Sequence, residues 1–266
     1  MRLSISDTLK NGAKAGVVVV VLATIALEAS TLVQYYFSQK EIKEEATAHA
    51  KSQLVGSCNQ IMDIINQTEA AVRNSVWIAQ WCLTQPDSLI RVAQRVVEDN
   101  PVVVGSTVAV VPGYLKNHPL FSPYVCEGPE GLEFKTLATE EYDYPSQEWF
   151  VKPLELKEGY WSEPYIDEGG GDILMTTYSL PIKDYQGTIA AILTADISLE
   201  WLTKLMEEMK MYPRAYNMIV SRDGQIMVGP KEGTVSDKSV EDVVQAMHSG
   251  MSGTSSIRDR APNPQF

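Results

Sequence analysis

The densest group of chemistry-bearing residues is Asp167-Glu168-Gly169-Gly170-Gly171-Asp172, three acids around three glycines. Closely spaced carboxylates are the raw material of a hard-cation site, but this spacing does not match a calcium loop. A phosphate cradle would need a lysine and a helix start after the glycines, and neither follows. The stretch therefore reads as a glycine-rich hairpin connection. His49, His118 and His248 are far apart and none sits in a motif. Cys58, Cys82 and Cys126 show neither metal-ligand spacing nor a disulfide framework; one bridge at most is expected, and all three read as small buried hydrophobes. The sequence has no HExxH zinc site, nucleophile elbow, Walker loop or dinucleotide fingerprint. No enzyme activity, metal or cofactor is expected of this chain.

Charge narrows the partners. The 266 residues include 34 acidic and 22 basic side chains, a formal net charge of -12. That excludes nucleic acid, which needs a basic face. A hydrophobic fraction of 44% predicts a folded chain, long enough for one large domain or two ordinary ones.

Any site must be positioned by the elements around it, and the first of these is apolar. Ala15 to Leu27 is an unbroken small and aliphatic run, resuming after Glu28 through Leu32, Val33, Tyr35, Tyr36 and Phe37. Together they make about 23 residues, enough to cross a bilayer as a helix. Arg2, Lys10 and Lys14 precede the run, and Glu41, Glu44 and Glu45 are mixed with lysines after it. The positive-inside rule puts the N-terminus in the cytoplasm and the rest outside the cell membrane. A cleaved signal peptide is the competing reading, set aside because the apolar pattern resumes and feeds into a helix. Glu28 reads equally as a helix–helix contact or as a carboxyl reaching the interface.

Beyond the span, Leu54, Cys58, Ile61, Ile65, Val72, Val76 and Ala79 recur at helical steps, predicting one long amphipathic helix to Trp81. Pro86-Asp87-Ser88 opens a second helix to about Asp99, with Leu89, Ala93, Val96 and Val97 inward. From Val102 the texture turns to strands: Val102–Val111, Tyr124-Val125 paired with Leu132–Lys135, Tyr160–Ile166, Ile173–Pro181 and Thr188–Ile197. A helix from Ser198 to about Met211 ends at Pro213. A hairpin of Tyr216–Val220 and Gln225–Val228 turns at Arg222-Asp223-Gly224, and Ser239–Ser249 (helix) and Thr254–Ile257 (strand) follow. The predicted fold class is α+β: an N-terminal transmembrane helix running into a long helix, then two PAS-like antiparallel-sheet lobes, the second cut short. The boundaries are 1–14 cytoplasmic, 15–37 transmembrane, 38–99 helical, 100–212 membrane-distal lobe and 213–266 membrane-proximal lobe.

One series of motifs carries a resemblance. Glu148-Trp149-Phe150, Trp161-Ser162-Glu163-Pro164-Tyr165-Ile166-Asp167, Thr177-Tyr178-Ser179-Leu180-Pro181-Ile182 and Leu193-Thr194-Ala195-Asp196-Ile197-Ser198-Leu199 follow in order. The chain from about Gln39 onward resembles the double Cache family of extracytoplasmic sensor domains. The resemblance implies small-ligand binding in the distal lobe. Amino-acid-binding members carry a Tyr, an Arg five residues on, a Trp-Tyr pair, then a Tyr and an Asp two apart, and a final Asp. Tyr142, Trp149, Tyr165, Asp167 and Asp196 stand at matching places, whereas Gln147 replaces the Arg and Phe150 the second aromatic. In the family the Arg grips a ligand carboxylate and the acids grip its amine. With Gln147 a small polar or amine-bearing ligand is expected rather than a free α-amino acid, because one neutral donor replaces a paired, charge-assisted contact. The residues themselves leave another reading open: the aromatics as core, Asp167 as a turn cap and Asp196 as a helix cap.

The resemblance also implies signalling through the membrane helix, as a homodimer joined by the long helix, to a cytoplasmic output. The run from Tyr142 to Leu202 is most similar to Bacteroidetes-type receptors with a histidine kinase or serine phosphatase output. The rival reading is a membrane-anchored surface protein that binds a partner protein, which would need an exposed apolar patch and no enclosed pocket.

Overall fold

The computed structural model of the chain describes residues 5–210, 217–229 and 237–249. The chain divides into two units, Met1–Val55 and Gly56–Phe266. A single helix, α1 (Ile5–Trp81), supplies residues to both.

In the first unit every side chain from Val17 to Phe37 is exposed. A helix apolar all round belongs in lipid or inside an assembly, and α1 is long and apolar enough to cross a membrane. The two threonines in this stretch are satisfied internally: Thr24 Oγ1 donates to the Val20 carbonyl (3.0 Å) and Thr31 Oγ1 to that of Leu27 (2.9 Å).

In the second unit α1 becomes one-sided. Ser57, Thr68, Val72 and Ala79 are buried and Ile61, Ile65 and Val76 are half-buried. Leu54 and Cys58, expected on the apolar stripe, are exposed. Cys58 follows the buried Ser57 by one residue, a rotation of about 100° on a helix, which turns it to solvent. All three cysteines are free, and only Cys82 and Cys126 are buried. Helix α2 (Pro86–Glu98) begins with a proline whose missing N–H costs nothing in the first turn, and it buries Leu89, Val92, Ala93, Val96 and Val97.

The sheet is antiparallel: β1 (Gly105–Val110), β2 (Pro123–Gly128), β3 (Gly131–Thr136), β4 (Tyr160–Trp161), β5 (Tyr165–Ile166), β6 (Leu174–Lys183) and β7 (Ile189–Ser198). The order is β3-β2-β1-β7-β6-β4, with β5 also on β6. Alternation sorts each strand. Val108, Val110, Val125, Leu193 and Ala195 pack with Val72 and Ala79 of α1 and with the inner face of α2. Ala109, Tyr124, Cys126 and Ile192 face the other layer, built from Leu137, Tyr142 and Tyr144 and from α3 (Glu148–Leu156) with Trp149 and Phe150. Tyr160–Ile166, expected as one strand, is broken at Ser162-Glu163-Pro164, because proline has no N–H for the ladder. The Ser162 side chain fills in, accepting from the Thr177 N–H at 3.0 Å.

Helix α4 (Leu199–Glu208) is capped by Ser198, whose Oγ accepts from the Trp201 N–H at 3.3 Å. Leu199, Leu202 and Met206 form a small second core with Val228 and Ile61. Val228 belongs to a hairpin of β8 (Ile219–Val220) and β9 (Ile226–Val228), which turns at Gly224 with a positive φ. Helix α5 (Asp237–His248) follows. The expected Pro213 helix end, the Tyr216 strand start, the 254–257 strand and the tail lie outside the described residues. The α+β architecture, a long N-terminal helix followed by antiparallel sheet, is the one the sequence predicts.

Candidate ligand-binding site

The polar centre of the α3-facing layer is built around Asp196 on β7. Its register neighbours are Gly105 on β1 and Thr177 on β6, so all three point the same way. Thr177 Oγ1 donates to Asp196 Oδ1 at 2.8 Å, and Tyr124 of β2 donates its hydroxyl to Oδ2 at 3.0 Å. Tyr165 of β5 joins through Thr177, hydroxyl to hydroxyl at 2.8 Å. Gly105 leaves the room: a Cβ there would meet the Tyr124 hydroxyl and the Asp196 carboxylate.

Asp167 brings a second carboxylate. It opens the glycine turn after β5, where Gly171 N–H donates to its Oδ2 at 2.8 Å and Gly169 N–H donates to Asp172 Oδ1 at 2.7 Å. The turn is thus closed by its own acids, Asp167 acting as a turn cap. Its other oxygen, Oδ1, accepts from the Tyr142 hydroxyl, which in turn accepts from Trp149 Nε1 at 3.3 Å. Glycine at 170 and 171 again lets groups approach closely, since a Cβ would strike Asp167 at the first and Met175 and the Tyr124 hydroxyl at the second.

Of the expected site residues, Tyr165 and Asp196 enter the hydrogen-bonded group around the β7 carboxylate, and Tyr142, Trp149 and Asp167 enter the group at the glycine turn. Gln147 sits beside it, its Nε2 donating to the Tyr142 carbonyl at 3.1 Å. Phe150 stacks edge-on against Tyr144 and Trp149 in the core. Both Trp149 and Phe150 lie on the nine-residue helix α3, which the sequence pattern does not predict; Pro153 inside it hides the helical signal. Asp196 does not cap the next helix, because Ser198 does. Tyr124 and Thr177 escaped the sequence reading: Tyr124 lies 72 residues from the carboxylate it binds, and no spacing rule links them.

The electrostatics are unbalanced. Asp167 and Asp196 are each 3% exposed, and among the described residues neither forms an ion pair. Lys135 reaches the same turn but bonds the Gly170 carbonyl, at 2.9 Å, and Asp172. Burial, and then the nearby Asp167 carboxylate, push the Asp196 carboxyl up to about 8, against the opposing pull of the Thr177 and Tyr124 hydrogen bonds. The Tyr124, Tyr142 and Tyr165 hydroxyls are pushed up too, first by burial and then by the two acids, so they remain donors. Among the described residues no group of three His, Cys, Asp or Glu side chains gathers to hold a metal.

The comparisons with known proteins fit this geometry. Residues 89–204 match the family described as methyl-accepting chemotaxis protein-like, first PDC sensor domain. Over this segment the chain is similar to Cache-type sensor domains. Such domains are the extracellular ligand-binding parts of chemoreceptors and histidine kinases. Over 104 residues the chain is 30% identical to the methyl-accepting chemotaxis protein PscA of Pseudomonas syringae pv. tomato. That match covers 38% of this chain and only 16% of PscA, so the chain spans less than a fifth of its relative. Among solved structures, methyl-accepting chemotaxis protein X superposes with a TM-score of 0.66 at 20% identity, covering 79% of this chain and 85% of that one. The extracellular domain of soHK1S-Z6, a candidate histidine kinase, gives 0.58 at 23% identity, covering 72% and 75%. The ligand-binding domain of the Campylobacter jejuni chemoreceptor Tlp3, in complex with L-valine, gives 0.54 at 13% identity, covering 72% and 74%. At these identities the structural likenesses establish the fold of the sensor domain.

Proposed function

We propose that the chain is the sensing part of a transmembrane receptor, and that its sensor domain binds a small amine-bearing solute at Asp167 and Asp196. The observation that carries this reading is the buried carboxylate pair, which accepts from hydroxyl donors and forms no ion pair among the described residues. Burying two acids together is costly unless one keeps a proton, as Asp196 does below about pH 8, or a positive group joins them. An ammonium offers that charge and three donors, and the rings of Tyr142, Tyr165 and Trp149 offer faces on which a cation is stabilised. The L-valine carried by Tlp3 supports an amine as the shared feature. Gln147, already bonded to the Tyr142 carbonyl, offers no charged grip for a carboxylate, which favours amines without one.

In this reading residues 15–37 cross the membrane with the N-terminus cytoplasmic, 100–212 form the ligand-binding lobe and 213–266 belong to a second lobe. Helix α1 mediates homodimer contact and transmits the signal to a cytoplasmic kinase or phosphatase. A ligand drives such a receptor only by its differential affinity for two arrangements of these parts. The test is a calorimetric and thermal-shift screen of amines, amino acids and neutral solutes on the full chain. For an amine that binds, Asp196→Ala should cost about 2–5 kcal/mol, the scale for removing one partner of a buried charge pair. A ligand bound equally by wild type and variant would return the cluster to a purely structural role.

A further inference from the structure

A cavity lies away from the Asp167–Asp196 cluster, among α1, the β4–β5 connection, β7, α4 and the β8–β9 hairpin. Its volume is about 250 Å³. Its walls are chiefly aliphatic, with Ile65, Ile197, Leu202 and Met227 among them, and Trp161 adds an aromatic surface. An apolar cavity of about 150 Å³ holds benzene, so this one has room for a single aromatic ring and a short tail. One wall breaks the pattern. Glu163 lines the cavity, and its Oε2 is buried without a hydrogen-bond partner. Leaving a carboxylate oxygen buried and unmatched is unfavourable, and the group that relieves it must be a donor, best a cation. Arg222 also borders the cavity, but its guanidinium lies over the Tyr160 ring, 5.4 Å from the centroid, and among the described residues it forms no ion pair with Glu163.

We infer that this cavity is a second small-molecule site, selective for an arylalkyl ammonium whose ring fills the aliphatic space and whose charge meets Glu163. The inference does not depend on the Asp167–Asp196 reading, because no residue is shared between the two places. Its location gives it a consequence. A molecule seated there touches α1, the sheet and the hairpin together, so occupancy stiffens the hairpin against the sheet and shifts any equilibrium in which they separate.

The probe is phenethylamine, titrated calorimetrically into the full chain held in lipid nanodiscs. 3-Phenylpropionate serves as the probe of opposite charge. Phenethylamine should bind wild type and also Asp196→Asn, whose other acidic cluster is disabled. Glu163→Gln should weaken it at least tenfold while keeping the shape of the wall. Ile65→Trp, which fills the cavity, should abolish it. 3-Phenylpropionate should not bind. The inference is overturned if phenethylamine fails to bind, if Glu163→Gln binds it as wild type does, or if the anion binds equally well. Binding lost in Asp196→Asn but intact in Glu163→Gln would place the amine at the other cluster and equally overturn this site.

Discussion

Gly105 lies directly opposite Asp196 across β1 and β7, and the hydrogen on its Cα occupies the space a side chain would take from the carboxylate. The same missing side chain admits the Tyr124 hydroxyl that bonds Asp196. Gly105→Ala should therefore displace Tyr124 or Asp196 and destabilise the domain by about 1–3 kcal/mol, the range for overpacking a core and disturbing a buried hydrogen bond. Urea denaturation measures the change, and an unaltered midpoint would show that the sheet absorbs the methyl.

The raised Asp196 carboxyl makes a signed prediction for pH. An unfolded aspartate ionises near 4, whereas in the fold this one ionises near 8. Between those values the folded state holds a proton that the unfolded state lacks, so raising pH destabilises the fold, and above about 8 the loss stops growing. Asp196→Asn cannot titrate and keeps an oxygen for Tyr124 or Thr177. Relative to wild type, the variant should gain stability as pH rises from 5 to 8, by at most about 1.4 kcal/mol per unit. Thermal melts across that window test it, and parallel curves for the two proteins would count against a protonated Asp196.

The same proton competes with a cationic ligand. Affinity for an amine at this cluster should rise with pH towards 8 as Asp196 gives up its proton, then level off. Gln147→Arg should shift preference towards compounds that also carry a carboxylate, since a guanidinium binds that group through paired hydrogen bonds. A panel of amines with and without a carboxylate, titrated into both proteins, reads out the shift. An unchanged order of preference would remove position 147 from the ligand's surroundings.

Cys58 provides a native reporter of topology, being free and exposed. In intact cells a membrane-impermeant maleimide should label Cys58 without permeabilisation. In a Cys58→Ser background, Leu120→Cys should be labelled from outside and Ile5→Cys only after the membrane is opened. Labelling at residue 5 but not at 120 would reverse the orientation.

Much of this protein is written locally. The apolar run before Phe37, the first-turn proline of α2, the β2–β3 pair and the turn at Gly224 each arise from neighbouring residues, whose periodicity and backbone preferences act within one element. Short or interrupted patterns are less legible. Pro153 conceals α3, Pro164 splits β4 from β5, and the exposure of Cys58 depends on which side of α1 finds a partner. The candidate site is the least local feature of all. Asp196 stood out by resemblance, but its surroundings come from the sheet register, which sets Gly105 and Thr177 beside it and carries Tyr124 from 72 residues away. Strand order and register are settled by packing two layers on one sheet, and a buried carboxylate takes its charge state from whatever that packing leaves within reach.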